Sequence, residues 1–405
     1  MVDGLLSNFR ALDLTDQKGF VCGKILASLG VDVIKIEKPG GDPSRNIPPF
    51  YHDIPDPERS LYWFAFNTDK RSITLNLETT RGQELFKKLV EKSDFVLESF
   101  TPGYMESLGL GYEELSRINP RIIMTSITPF GQKGPYSQYK GSELIASAMS
   151  GVLENNGDPD RPPVKEAPDN TYYEAGASAA LGTIISHYHR EITGEGQQVD
   201  VSIQECAATR NTDNLVAWMF EKRLVKRTGN RGHAISGRPA RWIWPCKDGD
   251  VFWRAPANNQ FLSQWFDEEG IDNPYINLTS KHKEGITIQT GNAVEEAILE
   301  LFRKYTKKEI IDRSRAVGIL SDCVNNPGEV MENPQPASRN FWTGINDART
   351  GITLDYPRHF FLSSETENYT RHSAPSIGEH NNEIYSKELG LSNAEIAELK
   401  ELNII

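Results

Sequence analysis

Between Arg10 and Glu37 the chain spells strand, helix, strand, and that order restricts the fold more than any other feature. Arg10 to Thr15 (RALDLT) alternates in polarity as a short strand does. Gly19 to Gly30 carries Val21, Ile25, Leu26 and Leu29 at helical spacing and closes on a glycine. Val31 to Glu37 (VDVIKIE) is rich in β-branched residues. Two strands joined through a helix run parallel, and a parallel sheet is buried on both faces. Further strands are predicted at Ser72–Leu77, Asp94–Glu98, Arg121–Ile127 and Gln198–Ile203, with helices at Thr80–Lys92 and Tyr112–Ile118 between them. The class is therefore α/β, with a doubly wound, Rossmann-like layer.

The texture changes after Val225. Arg227 to Arg241 is basic and Gly-rich and reads as a linker or loop. Trp242 to Trp253 alternates around Lys247-Asp248-Gly249-Asp250, a hairpin signal. Helices are expected at Ala257–Glu269, Ala293–Tyr305 and Lys308–Ala316, then an extended piece at Gly318–Asn325. These features predict a large domain begun by residues 1–224, a smaller α+β domain over 225–325, and a return linker with the rest of the large domain over 326–405. At 405 residues the chain is long enough for both. Ser392 and Glu395 form a capping-box signal before Ile396, Leu399 and Leu402, so the chain should end in a helix.

A net charge of −12 without a long Lys/Arg cluster argues against nucleic acid or an anionic membrane as partner. The four cysteines are scattered without metal-like spacing, and no metal site is expected. The first residues lack a signal-peptide pattern, and there is no long apolar run, so a cytoplasmic protein is expected.

The stretch Ala167–Ala207 predicts a loop, a helix of small residues from about Tyr172 to Arg190, a turn at Thr193-Gly194-Glu195-Gly196, a strand and a further helix, Ala207–Glu221. His187 and His189 lie two apart on that helix and diverge, a poor metal pair. The segments LDLTDQKG, ILASLGVDVIKIEKPGGDPSR, NTDKRSITLNL, SDFVLESFTPGYMESLGLGYEEL, AGASAALG to TGEGQQVDVSIQE and APSIGEHNNEIY, in this order, resemble the class III CoA-transferases of the formyl-CoA transferase type. The resemblance runs over nearly the whole length. It implies a large domain built from both chain ends and an interlocked, ring-like dimer. It implies no permanently bound cofactor, with a coenzyme A thioester as substrate.

The same resemblance implies covalent catalysis by an aspartate carboxylate that attacks an acyl-CoA and carries the CoA as a thioester. That aspartate lies ten residues before the Gly of the ALG turn, and here the position holds Tyr172. A phenol titrates near ~10 and forms no anhydride. Asp169 and Glu143 are the weak alternatives, and Asp169 also fits a helix N-terminal cap. Glu174, two residues on, is rotated by roughly 200° and should point elsewhere. Gln17, Lys38, Lys70, Arg71 and Phe100 occupy positions that the resemblance assigns to the CoA side. Lys38 could equally be a solvated lysine and Arg71 a structural ion-pair residue. Phe20 replaces a proline, and Ser99 and Ser107 replace an asparagine and a phosphate-holding arginine. The racemase branch of the family uses a histidine where Ser142 and Glu143 stand, which disfavours racemisation.

Three expectations follow. The first is a non-catalytic subunit paired with a homologous chain that carries the aspartate, resembling the heteromeric succinyl-CoA:benzylsuccinate transferases of anaerobic aromatic degradation. The second is an active single-chain transferase whose nucleophile has moved to Asp169. The third, an acyl-CoA racemase or isomerase, lacks both of its residues.

Overall fold

In the computed structural model, residues 4–233, 239–254, 260–274, 288–367 and 369–405 are described. The chain divides into two compact units. One comprises the residues up to Glu154, Lys165–Val225 and Ser338–Ile405; the other comprises Asn155–Val164 and Lys226–Ala337. The main segment of the smaller unit starts within one residue of the expected 225, ends at Ala337 rather than 325, and is joined by a further piece, Asn155–Val164. The turn-rich segment Asn155–Val164 joins it through the Gly229 N–H, which donates to the Gly157 carbonyl at 3.0 Å. The residues around Glu329 join it because Lys307 reaches that carboxylate at 2.7 Å.

The larger unit is built on a parallel sheet of β1 (Arg10–Asp13), β2 (Asp32–Glu37), β3 (Arg71–Thr74), β4 (Phe95–Glu98), β5 (Ile123–Thr128) and β6 (Gln198–Ser202), in the order β3-β2-β1-β4-β5-β6. Four of the strands fall inside predicted ones, while β3 begins one residue before its predicted start and β5 ends one residue after its predicted end. The order reverses between β1 and β4, which leaves a crevice beyond their carboxyl ends. Two apolar clusters cover the faces. One joins Leu12, Ile34 and Ile73 to Leu85, Phe86 and Leu89 of the helix Thr80–Val90, and to Tyr385, Ile396 and Leu399 near the chain end. The C-terminus is tied in directly: the Asn76 N–H donates to the Ile404 carbonyl at 2.7 Å, and the Tyr385 hydroxyl to the Thr74 carbonyl at 2.7 Å. The capping box of Ser392 and Glu395 forms as expected, with Ile396 and Leu399 buried and Leu402 left exposed.

The other cluster packs the helix Phe20–Ser28 and the long helix Asn170–Thr193 against the sheet, with Ala11, Cys22, Leu26, Tyr172, Ala175 and Ala179 in contact. The small residues of the long helix are what allow this approach. A Cβ on Gly176 would sit 2.7 Å from Val21 Cβ and 3.1 Å from the Cys22 nitrogen. After β6 the chain forms two helices, Ile203–Arg210 and Thr212–Glu221, in place of the single helix expected from Ala207. The Ser202 hydroxyl accepts from the Glu205 N–H and starts the first helix early, and the chain bends at Asn211.

In the smaller unit β7 (Arg231–His233) and β8 (Pro239–Arg241) pair antiparallel, so the basic stretch read as a linker is partly sheet. Arg231 grips Glu295 with both terminal nitrogens, at 2.5 and 2.6 Å. The predicted hairpin is β9 (Ile243–Cys246) and β10 (Gly249–Trp253), and β11 (Ser321–Val324) extends it. Trp244 and Trp253 are core residues beside Trp265 and Phe302. The helix expected from Ala257 is described from Gln260, and its first residues lie outside the described ones. In the larger unit β12 (Trp342–Asp347) and β13 (Ile352–Pro357) form a separate antiparallel pair.

Candidate active site

Two features of the larger unit lie where the resemblance leads one to look for the chemistry: a groove at the sheet crest and the start of the long helix. The groove, about 240 Å³, opens where β1 to β4 end. Leu14, Ile36, Leu75 and Leu77 give it an apolar floor, and Phe100 and Tyr104 form an aromatic wall. An apolar slot with a few polar groups at the carboxyl ends of parallel strands suits a flat heterocycle and its sugar.

Its walls are fixed by a buried ionic lattice. Arg45, fully buried, donates to both Glu37 oxygens at 2.6 and 2.8 Å and stacks 3.7 Å from the Trp63 ring centroid. Glu37 also accepts from Ser72 Oγ at 2.7 Å and the Asp42 N–H at 2.9 Å. Burial alone would raise the Glu37 carboxyl; Arg45 and Lys35 outweigh it and hold it below the ordinary range. Glu37 therefore lines the groove with its oxygens already satisfied, and its role is to pin the loop after β2.

The residues expected on the CoA side separate into two groups. Lys38 and Phe100 line the groove; Gln17 is next in the chain to the lining residue Asp16 but is not itself part of the lining. Lys38 is exposed and reaches Glu78 at 2.8 Å, and Tyr104 donates to the same carboxylate at 3.1 Å. Lys70 and Arg71 do not join them. Lys70 is fully enclosed, paired with Asp13 at 2.8 Å and Asn67 at 2.9 Å. Arg71 clasps Asp32 and Glu388, at 2.5 and 2.7 Å, and Glu383 at 3.2 Å. Both are held by structural partners. Ser99 exchanges hydrogen bonds with Asp16, and the Ser107 hydroxyl donates to the carbonyl of Tyr104. Neither places a cation where an arginine was expected. Phe20, in the place of a proline, is buried under the ammonium groups of Lys35 and Lys70.

At the start of the long helix, Tyr172 is 3% exposed and packs into the core. Burial raises the phenol pKa, and the nearby carboxylates of Asp16, Asp169 and Glu143 raise it further. It stays neutral at physiological pH. Asp169 stands at the N-cap position of the helix, but its side chain makes no capping bond; Lys165 holds it at 2.9 Å instead. The same Lys165 reaches Glu143 at 3.2 Å, and the Thr171 hydroxyl donates to Glu143 at 3.2 Å. Glu143 is the buried first residue of the helix Glu143–Met149. Glu174 points away as its rotation predicts and pairs with Arg210 at 2.9 Å. Sequence reasoning did not single out Asp16. It lines the groove and lies within electrostatic reach of the Tyr172 and Tyr62 phenols, so it connects the two features. Its signal was available in LDLTDQKG, just past the end of β1.

The profile of CoA-transferase family III matches residues 6–381. The chain belongs to that family. It is 34% identical over 397 residues to the succinyl-CoA:(R)-benzylsuccinate CoA-transferase subunit BbsE of Thauera aromatica, spanning 93% of each chain. It is 29% identical to the succinyl-CoA–L-malate CoA-transferase beta subunit of Chloroflexus aurantiacus, spanning 95% of this chain and 94% of that one. A solved CAIB/BAIF family protein from Brucella suis superposes with a TM-score of 0.82 at 25% identity, over 96% of this chain and all of that one. CoA transfer is thus the activity class of this chain, and both relatives carry succinyl-CoA in their names. Among the described residues no cluster of His, Cys, Asp and Glu has metal-binding geometry, and no helix is long and apolar enough to cross a membrane.

Proposed function

We propose that this chain is the non-catalytic subunit of a heteromeric class III CoA-transferase that moves CoA between succinate-like and aromatic-succinate acids. The observation that carries the reading is Tyr172: a neutral, buried phenol packed into the core stands where the family resemblance calls for a nucleophilic carboxylate. The partner is a homologous chain that supplies the aspartate, and the assembly is the interlocked, ring-like pairing of the family. Both relatives named above are subunits, which supports such a partner.

The surface supports it too. On the long helix Leu181, Ile185, Tyr188 and Ile192 are each 57–70% exposed, at spacings of four, three and four that put them in one stripe. Trp218, Met219 and Phe220 are exposed near the end of the helix Thr212–Glu221. Contiguous apolar surface of this kind marks an interface in a soluble protein. The four free cysteines fit assembly in the reducing cytoplasm.

The chain purified alone should show no succinyl-CoA-dependent CoA transfer to a dicarboxylate such as benzylsuccinate. Co-expressed with a family III chain bearing the aspartate, it should form an active complex. Full activity of the lone chain would overturn the reading and favour the relocated nucleophile; Asp169→Asn abolishing that activity would then identify it.

A further inference from the structure

Behind β13, and apart from the groove, lies a cavity of about 460 Å³ within residues Ser338–Glu367 of the larger unit. His359 lines it and is only 9% exposed, yet neither ring nitrogen has a hydrogen-bond partner. The Thr366 hydroxyl, also in the lining, is likewise buried and unpartnered. Orphaned buried polar groups cost free energy unless a water or a ligand completes the bonding, and here two of them open onto one cavity. The charged groups that face the ring are Arg339, Arg358 and Glu367. Glu367 lies 3.4 Å from Arg358, which leaves the lining with a net positive charge. Burial and then the two guanidinium groups lower the His359 pKa, so the ring is neutral and can offer one N–H to an acceptor. Phe361 and Leu362 line the same space and are about half exposed.

We propose that this cavity binds a small organic carboxylate, its oxygens taken by Arg339, His359 and Thr366 and its apolar body by Phe361 and Leu362. Guanidinium, imidazole N–H and hydroxyl are all donors toward a carboxylate. The apolar wall favours an organic acid over inorganic phosphate. The site uses no residue of the groove or of the helix start, so the proposal stands independently of the proposed subunit role.

Calorimetric titration of the full chain with 3-phenylpropionate tests it, with inorganic phosphate as comparison. The acid should bind at millimolar concentration or below, and phosphate more weakly. Arg339→Gln, an exposed position, should weaken binding at least about tenfold at an unchanged thermal midpoint. His359→Leu, which keeps an apolar filling, should do the same. Absence of binding, equal binding of phosphate, or binding untouched by Arg339→Gln would each overturn it. Repeating the titration on the assembled complex separates an open site from one that an acidic side chain of the partner fills; binding by the lone chain but not by the complex would also overturn it.

Discussion

At the scale of single residues, charge is decided by what surrounds it. Lys70 and Arg71 look like ligand cations in the sequence, because the motif NTDKRS says which residues stand there and nothing about their partners. The acids that occupy them lie far along the chain: Asp13 for Lys70, and Glu383 and Glu388 for Arg71. Replacing Lys70 by Met should leave Asp13 buried beside a lost partner and destabilise the chain by about 3–5 kcal/mol in urea unfolding. Glu98, at the end of β4, differs. It is 3% exposed, accepts from the Phe100 N–H at 2.8 Å, and burial pushes its carboxyl up to about 7. A raised carboxyl favours the protonated fold, so its contribution is whole below the unfolded value near ~4.3 and is lost as pH rises through about 7. The chain should therefore lose about 2–3 kcal/mol between pH 5 and 8 relative to Glu98→Gln, whose stability should be flatter over that range. Parallel stability–pH profiles would contradict the assignment.

At the scale of elements, the strands were legible because alternation and β-branching are local signals, and all six fall where expected. What escaped was set by contacts distant in sequence. The bend at Asn211, the β7–β8 pair held by Glu295, and the attachment of Asn155–Val164 have no local pattern. The long helix was recognised from its small residues, but that pattern explains only its buried face. Its other face, from Leu181 to Ile192, is apolar without a covering element among the described residues. Ile185→Glu with Ile192→Glu should reduce co-purification of the partner at least about tenfold while leaving the lone chain's thermal midpoint unchanged, because both positions are exposed. An intact complex from this variant would place the interface elsewhere.

At the scale of the whole molecule, the family fold is retained, the groove at its crest is formed, and Tyr172 at the start of the long helix is packed into the core. The resemblance put Tyr172 where it expects an aspartate; the sequence could not show that Tyr172 packs with the first helix in one apolar cluster, or that Lys165 holds both alternative acids. In the proposed subunit role, a chain that keeps scaffold and apolar surface acts through a partner that supplies the carboxylate. The most direct measurement is to trap the covalent intermediate in the assembled complex with succinyl-CoA, convert it with hydroxylamine, and locate the modified carboxylate by mass spectrometry. All of the label should lie on the partner's aspartate; label on Asp169, Glu143 or Asp16 of this chain would contradict the account.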